Sequence, residues 1–312
     1  MVSISLIIPH HKNEAGLQKL LESIKNQNIS LDFEVIVVSN PSSFLAEKIC
    51  KGFPKLKHIQ VDKIGVNIAR NIGIETAKGE VLLFLDSDCY LTDKLLMQKH
   101  WDQQNLNKEL TCIGGVYSDS SKKKVNRAYA YTQKRWLLQG VSDQLSHYLV
   151  GGHFSCKKNL IGPVRFDEKI AFGCSETDFF LRLVLKEKRL KLITALTVDH
   201  APNLNYISLI KKLYRQGFGT NYVERKLNLK IRNEKMSFSV IEFDRSQDIG
   251  KLHLPLLVIR VAFDAGISGL SSTCSTTRAF SIYNTVIFNF YLDRFSAFLK
   301  SVEFFLRNFP KS

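Results

Sequence analysis

The chain has 312 residues, of which 45% are hydrophobic and 23% are charged, the ordinary balance of a soluble globular protein with a full core. Its net charge of +15 predicts an anionic partner: nucleic acid, an acidic membrane surface or a phosphorylated substrate. The six cysteines are widely spaced without a Cys-x-x-Cys pair, which argues against a zinc site or a disulfide scaffold and indicates reduced, cytosolic thiols. No apolar stretch reaches the roughly 20 residues of a membrane-spanning helix, and residues 1–8 predict a strand rather than a signal peptide.

The N-terminal part of the chain alternates between short apolar runs and amphipathic segments. Strands are predicted at residues 3–8, 33–38 and 58–61, and helices at residues 17–24 and 44–52. Such alternation predicts right-handed β-α-β units and therefore a parallel sheet. The loops that follow these strands are expected on one edge of the sheet, where such folds bind ligands.

Residues 65–88 carry the strongest pattern. A helical segment is predicted to end at Gly79, in a cap that needs positive φ, and the continuous apolar run 81–85 predicts a buried central strand. Asp86 and Asp88 follow that strand directly, and side chains one residue apart point to the same side of an extended chain. Two hard oxygen ligands so close together suit Mg²⁺ or Mn²⁺, which in turn binds a diphosphate.

This stretch resembles glycosyltransferase family 2, which comprises nucleotide-sugar enzymes of the GT-A fold. Asp86-Ser87-Asp88 matches the Asp-x-Asp motif of the family, and the segment before it matches at Ala69-Arg70-Asn71, Gly73 and Ala77-Lys78-Gly79. The resemblance covers roughly residues 3–220. It implies an α/β fold with a mostly parallel sheet and helices on both faces. Beyond it, the apolar residues at helical spacing near the C-terminus predict a helical extension.

We predict that the chain is divided into three segments. We predict a catalytic domain at residues 1–225, with a nucleotide-binding half at 1–100 and an acceptor-side half at 101–225. Residues 226–312 are predicted to form a helical, amphipathic extension. The apolar stripe from 295 to 309 has helical spacing, and with the basic charge it predicts attachment to an anionic membrane surface on the cytoplasmic side. Packing on the core or on another subunit is the alternative.

The resemblance implies an inverting glycosyltransferase that uses Mn²⁺ or Mg²⁺. The donor is a nucleotide-diphospho-sugar, by default a UDP-sugar, and the acceptor is a hydroxyl group of a glycan or lipid-linked glycan of the cell envelope. The implied donor-binding residues are Pro9, Asn13, Glu14, Asn40, Arg70, Asp86 and Arg215. The implied metal shell is Asp88, His200 and Asp86, in which Asp88 is the direct ligand and Asp86 reaches ribose or a metal-bound water.

The second strand departs from the family pattern. Members usually have Asp-Asp-Gly-Ser there, and the second Asp accepts a hydrogen bond from the imide N–H of uracil. This chain has Ser39-Asn40-Pro41-Ser42. An amide can accept a hydrogen bond through its oxygen but can also donate one, so the sequence leaves the nucleobase open.

The segment 151–178 resembles the acceptor side of the family. On that alignment the catalytic Asp of the family's Glu-Asp pair is replaced by Glu176, which becomes the implied base. Ser175 and Asp178 stand three residues apart before an apolar run, which predicts a capping box and gives Asp178 a structural role. His10 and His11 are predicted to be solvated loop residues rather than metal ligands.

Two other functions stay open at this stage. One is a nucleotidyltransferase that makes nucleotide sugars, although the loop after the first strand has only Gly16 where those enzymes have a glycine-rich loop. The other is a basic nucleic-acid-binding protein. The charges form no helix-turn-helix, RNA-recognition or zinc pattern, so no nucleic acid partner is expected.

Overall fold

An eight-stranded sheet with helices on both faces forms the body of the protein. The computed structural model describes residues 2–118, 123–139, 141–142, 145–170, 173–200, 202 and 204–228. Their strands are Ile4–His10 (β1), Phe33–Ser39 (β2), Leu56–Gln60 (β3), Val81–Leu85 (β4), Cys89–Tyr90 (β5), Leu110–Ser118 (β6), Val141–Ser142 (β7), Leu145–Ser146 (β8), His153–Lys157 (β9) and Arg189–His200 (β10). Their helices are Glu14–Lys25 (α1), Phe44–Lys51 (α2), Val66–Thr76 (α3), Leu96–Leu106 (α4), Lys124–Gln139 (α5), Lys158–Ile161 (α6), Ser175–Val184 (α7) and Tyr206–Leu227 (α8).

The strand order of the large sheet is β3-β2-β1-β4-β9-β6-β10-β5. Six of these strands run in the same direction, while β9 is antiparallel to β4 and β6, and β5 is antiparallel to β10. The carboxyl ends of β1, β2, β4, β6 and β10 therefore meet at one edge of the sheet. The predicted α/β class, with a mostly parallel sheet, is confirmed.

Two apolar layers cover the two faces of this sheet. Helices α1, α2 and α4 pack on one face, where Leu20, Ala46 and Met97 are buried. Helices α3, α6 and α7 pack on the other, with Ala69 and Phe179 in the core. Strands β1 and β4 are buried at every position, because helices cover both faces of the sheet there. This is why the sequence of β4 is a continuous apolar run.

The reason for glycine at position 79 differs from the prediction. Helix α3 ends at Thr76 and is capped by Ala77, whose φ of −59° is ordinary, and Gly79 is not among the residues with positive φ. A Cβ at Gly79 would lie 2.5 Å from the backbone nitrogen of Ser5, and the Gly79 N–H donates to the Ser5 hydroxyl at 2.8 Å. The turn therefore requires glycine for the close approach of β1.

Other parts of the structure also differ from the sequence predictions. His10 is buried at the end of β1, with its Nδ1 3.1 Å from the Ser39 hydroxyl, so the prediction of a solvated loop residue was wrong. His11 is exposed, and its Nδ1 lies 2.6 Å from the Asn40 carbonyl. Helix α5 was not predicted at all. It packs against α8 through Tyr129 and Leu213, both buried.

The predicted C-terminal extension lies mostly outside the described residues. Helix α8 ends at Leu227, close to the predicted boundary at residue 225, and residues 229–312 are not described. The amphipathic stripe and its membrane contact therefore stay predictions. In the part of the chain that the structure describes, no helix is long and apolar enough to cross a membrane.

A buried histidine pair joins α4 to β9 of the sheet. The Nε2 atoms of His100 and His153 lie 3.0 Å apart, and His100 Nδ1 lies 2.9 Å from the Ser155 hydroxyl. Both imidazoles are fully buried. Burial lowers the pKa of His153 to about 4, and burial together with the charge of His153 lowers the pKa of His100 well below its ordinary value. Both side chains are therefore neutral in the native protein at pH 7.

This pair predicts a loss of stability in mild acid. Below about pH 6.5 the unfolded chain takes up protons on both histidines, whereas native His153 stays neutral until about pH 4. Stability is therefore complete above pH 6.5 and falls between pH 6.5 and 4, by about 3 kcal/mol for His153 alone. Urea unfolding at several pH values measures the slope. His153→Gln should flatten it and exposed His11→Gln should not, whereas equal slopes for both variants would contradict the assignment.

Candidate active site

The two acidic residues after β4 stand on a turn held from two sides. The Asp86 N–H donates to the Gly152 carbonyl at 3.2 Å, which fixes the turn to the start of β9. The Asn13 amide donates to the Ser87 carbonyl at 3.4 Å from the loop after β1. A Cβ at Gly152 would lie 2.4 Å from Asp86 Oδ2, so glycine is needed there for the carboxylate to fit. Both acids thus stand at the predicted edge of the sheet.

Arg70 binds Asp86. Its Nη2 donates to Asp86 Oδ1 at 3.1 Å and to the Gly151 carbonyl at 3.0 Å, and its guanidinium lies over the Phe166 ring at 5.2 Å. The Arg70 side chain is only 4% exposed, against 33% for Asp86. The buried cation therefore orients a carboxylate that is itself partly exposed.

Asp88 meets His200. Strand β10 pairs antiparallel with β5, and the register sets His200 opposite Cys89, the residue that follows Asp88. The His200 Nε2 lies 3.3 Å from Asp88 Oδ2, and the imidazole stacks on the Tyr117 ring at 4.1 Å. Burial acts to raise the pKa of Asp88, but the hydrogen bond and charge of His200, and then Lys212, hold that pKa below its usual value.

Glu176 faces the cleft from the start of α7. The helix cap is not the predicted one: Cys174 caps it in a left-handed conformation without a side-chain hydrogen bond, and Ser175 is the first helical residue. The Ser175 hydroxyl donates to Glu176 Oε2 at 3.2 Å instead of to a backbone group of a capping box. The predicted capping box was therefore wrong, because Ser175 stands one residue too far into the helix.

Asp178 has a structural role, for a reason other than the predicted one. It is fully buried and forms ion pairs with two cations. The Arg182 Nη2 lies 2.7 Å from one of its oxygens, and the Lys226 Nζ lies 2.6 Å from the other. Asp178 thus fastens α7 to the end of α8 and points away from the cleft that Glu176 lines.

The predicted donor-binding residues near the N-terminus surround the same edge, but their side chains have partners within the protein. Asn13 caps α1 by accepting from the Gly16 N–H at 3.3 Å, and Glu14 accepts from the Ser43 hydroxyl at 2.8 Å. Pro9 is buried within β1. Asn40 is 2% exposed, and its amide nitrogen donates to the Gly65 carbonyl, which leaves the amide oxygen as the acceptor end.

The basic residue of α8 that lines the cleft is Lys212, whereas the prediction named Arg215. Arg215 is exposed, does not line the cleft, and donates through Nε to the Lys211 carbonyl at 3.3 Å. Lys212 does line the cleft, with Nζ 4.7 Å from the centre of the Tyr129 ring. Burial acts to lower its pKa, but Tyr129 and the two acidic residues raise it above its usual value, so the side chain stays charged.

A single cleft of about 290 Å³ joins these groups. Asp86, His200 and Glu176 line it, together with Arg70 and Lys212. The sequence analysis missed its aromatic wall, whose described members are Tyr117, Tyr129, Trp136 and Tyr148. Helix α8 also lines the cleft, through Lys212, Gln216 and Thr220. These residues are four apart, and this helical spacing is the signal that could have identified the cleft-facing side of α8.

The side chains that could ligate a metal fit a divalent ion only in part. Within the described residues, no three His, Cys, Asp or Glu side chains converge as a metal cluster. Asp88 and His200 meet, whereas Asp86 is held by Arg70. A carboxylate beside an imidazole suits Mn²⁺, and ions of this kind commonly take their remaining ligands from substrate phosphates and water. The residues present therefore fit a site that is completed by a bound diphosphate.

Solved glycosyltransferase structures share this fold. The mannosyltransferase PcManGT from Pyrobaculum calidifontis, solved in complex with GDP-Man and Mn²⁺, matches with a TM-score of 0.58 at 13% identity, over 93% of this chain and 81% of that one. S. aureus TarS 1–349 in complex with UDP matches with a TM-score of 0.52 at 16% identity, over 86% of this chain and 92% of that one. The protein therefore has the GT-A fold.

The chain belongs to glycosyl transferase family 2, whose profile matches residues 5–164, about half of the sequence. A poly(ribitol-phosphate) beta-N-acetylglucosaminyltransferase, TarP of Staphylococcus aureus, is 23% identical over 231 residues, 70% of each chain. An uncharacterized glycosyltransferase of Haemophilus influenzae is 32% identical over 187 residues, 58% of this chain and 62% of its relative. The predicted family and the predicted enzyme class, a glycosyltransferase, are confirmed.

Proposed function

We propose that the protein is an inverting, metal-dependent glycosyltransferase that moves a sugar from a nucleoside-diphosphate donor to a hydroxyl group of a glycan. The observation that carries this proposal is that one cleft is lined both by residues of the acidic edge and by a carboxylate from α7. Asp86 and His200 line it at the carboxyl edge of the sheet, and Glu176 lines it from the start of α7. A donor bound at the edge would present its sugar between them.

The transfer is a single displacement. The acceptor oxygen attacks the anomeric carbon of the sugar, and the bond from that carbon to the diphosphate breaks, with its electron pair going to the diphosphate. Glu176 takes the proton of the attacking hydroxyl as a general base. A metal ion held by Asp88 and His200 would supply positive charge beside the departing diphosphate. Arg70 holds Asp86 in place, ready to meet ribose or a metal-bound water.

The orientation of Asn40 supports a donor nucleobase that presents a ring N–H. Its amide nitrogen donates to the Gly65 carbonyl, which fixes the amide so that its oxygen is the acceptor end. An acceptor there suits uracil and guanine, which carry a ring N–H, better than adenine or cytosine. UDP stays our first choice, and Pro9, Asn13 and Glu14 would shape the surrounding nucleotide pocket. A role for Arg215 requires a movement of its side chain toward the cleft.

The acceptor is proposed to be a glycan or lipid-linked glycan of the cell envelope. The TarP and TarS relatives are both named as poly(ribitol-phosphate) beta-N-acetylglucosaminyltransferases, so related chains act on an anionic polymer. The net charge of +15 is compatible with such an acceptor and with peripheral binding at the cytoplasmic face of the cell membrane.

Donor turnover tests this function. The full chain is incubated with Mn²⁺ and a panel of UDP-, GDP-, CDP- and ADP-sugars, and the released nucleoside diphosphate is measured. We expect turnover of at least one UDP- or GDP-sugar, loss of turnover in EDTA and recovery on addition of Mn²⁺. Formation of a nucleotide sugar from a nucleoside triphosphate and a sugar phosphate, with no turnover of any donor, would contradict the proposal.

A further inference from the structure

Lys212 is the cation of α8 that points toward the acidic edge. The residue lies one helical turn before Gln216 and two before Thr220, and all three line the cleft, so this stripe of α8 is a wall of the site. The helix is fixed in this rotation because Leu209 and Leu213 are fully buried against α5. Lys212 therefore faces the cleft as a result of packing, not of a chance side-chain conformation.

The ammonium group lies over an aromatic ring and has no ion-pair partner among the described residues. Its Nζ lies 4.7 Å from the centre of the Tyr129 ring. The negative charges of Asp88 and Asp86 reach it electrostatically. Yet among the described residues no carboxylate oxygen lies within the 4.0 Å ion-pair limit of this Nζ. The half-buried cation thus lies more than 4.0 Å from the carboxylate oxygens of both acids, and both it and Asp86 line the cleft.

A diphosphate is the group of the donor whose charge suits a position between this cation and the metal site. A metal ion held by Asp88 and His200 would bind phosphate oxygens from one side, and an ammonium on the other side would bind them from the opposite direction. Charge-assisted hydrogen bonds between Lys and phosphate oxygens are short and strong. Uracil and ribose carry no charge, so they would gain much less from this position.

We propose that Lys212 is a diphosphate-binding residue, which holds the donor's diphosphate opposite the acidic pair and stabilises the charge that develops as the sugar leaves. This inference rests on the proposed function and assigns a residue that the sequence analysis did not single out. Tyr129 acts as a positioning residue, because its ring lies against the Lys212 ammonium.

Calorimetric binding of UDP and GDP to the full chain tests the proposal, with Mn²⁺ and separately in EDTA. Lys212→Met should weaken binding of the preferred diphosphate by about tenfold or more in both conditions, because one charge-assisted contact is lost. Lys212→Arg should keep most of the affinity. The matched control is Lys211→Met, the same change at the exposed neighbouring position, which should bind like the parent protein.

The corresponding nucleoside, uridine or guanosine, separates phosphate recognition from damage to the fold. Its binding should be equal in the parent and Lys212→Met, since it has no phosphate. If Lys212→Met loses the nucleoside and the diphosphate equally, or binds the diphosphate as tightly as the parent does, the assignment of Lys212 is overturned. A parent protein that binds no nucleoside diphosphate at all would instead overturn the proposed function.

Discussion

Glu176→Gln should lower the rate of sugar transfer by about 100- to 10,000-fold, the range that a general base contributes. The amide keeps the size of the side chain and can still accept the hydrogen bond from Ser175, so the start of α7 should not change. Only the capacity to take a proton is lost. Transfer is measured as product formation at saturating donor and acceptor, and donor and metal binding are measured separately and should match those of the parent.

Asp178→Asn is the matched comparison, because it is the same type of change two residues later in the same helix. It removes the charge between Arg182 and Lys226 and should cost about 3 kcal/mol of stability, as expected when one partner of a buried ion pair is lost. The folded fraction should retain transfer. A folded and inactive Asp178→Asn, together with a Glu176→Gln of near-parent rate, would reverse the two roles.

Asp88→Asn should abolish metal-dependent turnover of the donor. The substitution removes the one carboxylate that His200 contacts, and an amide is a much weaker ligand for a divalent cation than a carboxylate is. We expect Mn²⁺ binding, measured by calorimetry without donor, to be lost together with turnover. Near-normal activity at low Mn²⁺ would show that the metal lies elsewhere.

Asp93→Asn gives the control for this substitution. Asp93 lies five residues after Asp88 and pairs with Lys99 at the surface, 2.6 Å away. The same loss of one negative charge should leave both Mn²⁺ binding and turnover unchanged. Equal losses in the two variants would point to a general charge effect instead of metal ligation.

Local sequence patterns were sufficient for β4 and the turn that follows it. The apolar run of β4 and the two acids that follow it depend on residues close in the chain, and the structure keeps them as predicted. Residues of β10 lie far away in sequence, and only the register of β10 with β5 brings His200 to Asp88. The family resemblance suggested that contact, whereas composition and periodicity could not.

Two of the predictions that differed from the structure depended on how α8 packs. Arg215 and Lys212 are both basic residues of α8, and the buried side of α8 is set by α5, a helix that the sequence analysis did not predict. The cap of α7 depends on tertiary contacts as well. Gly173 and Cys174 both have positive φ, and the Cys174 thiol donates to the Gln216 carbonyl at 3.1 Å, so α8 determines where α7 begins.

The contact between α8 and the loop of Gly173 and Cys174 has a consequence for movement of the cleft wall. A Cβ at Gly219 would lie 2.4 Å from the Gly173 carbonyl oxygen, so loop and helix meet there at backbone distance, and the Cys174 thiol adds its hydrogen bond to the Gln216 carbonyl. Glu176 follows the loop by three residues, and Lys212 precedes Gly219 by two helical turns. A displacement of α8 on donor entry would carry Glu176 with it. Glu176, proposed at the attacking hydroxyl, and Lys212, proposed at the diphosphate, would then keep their distance from each other while this wall of the cleft moves.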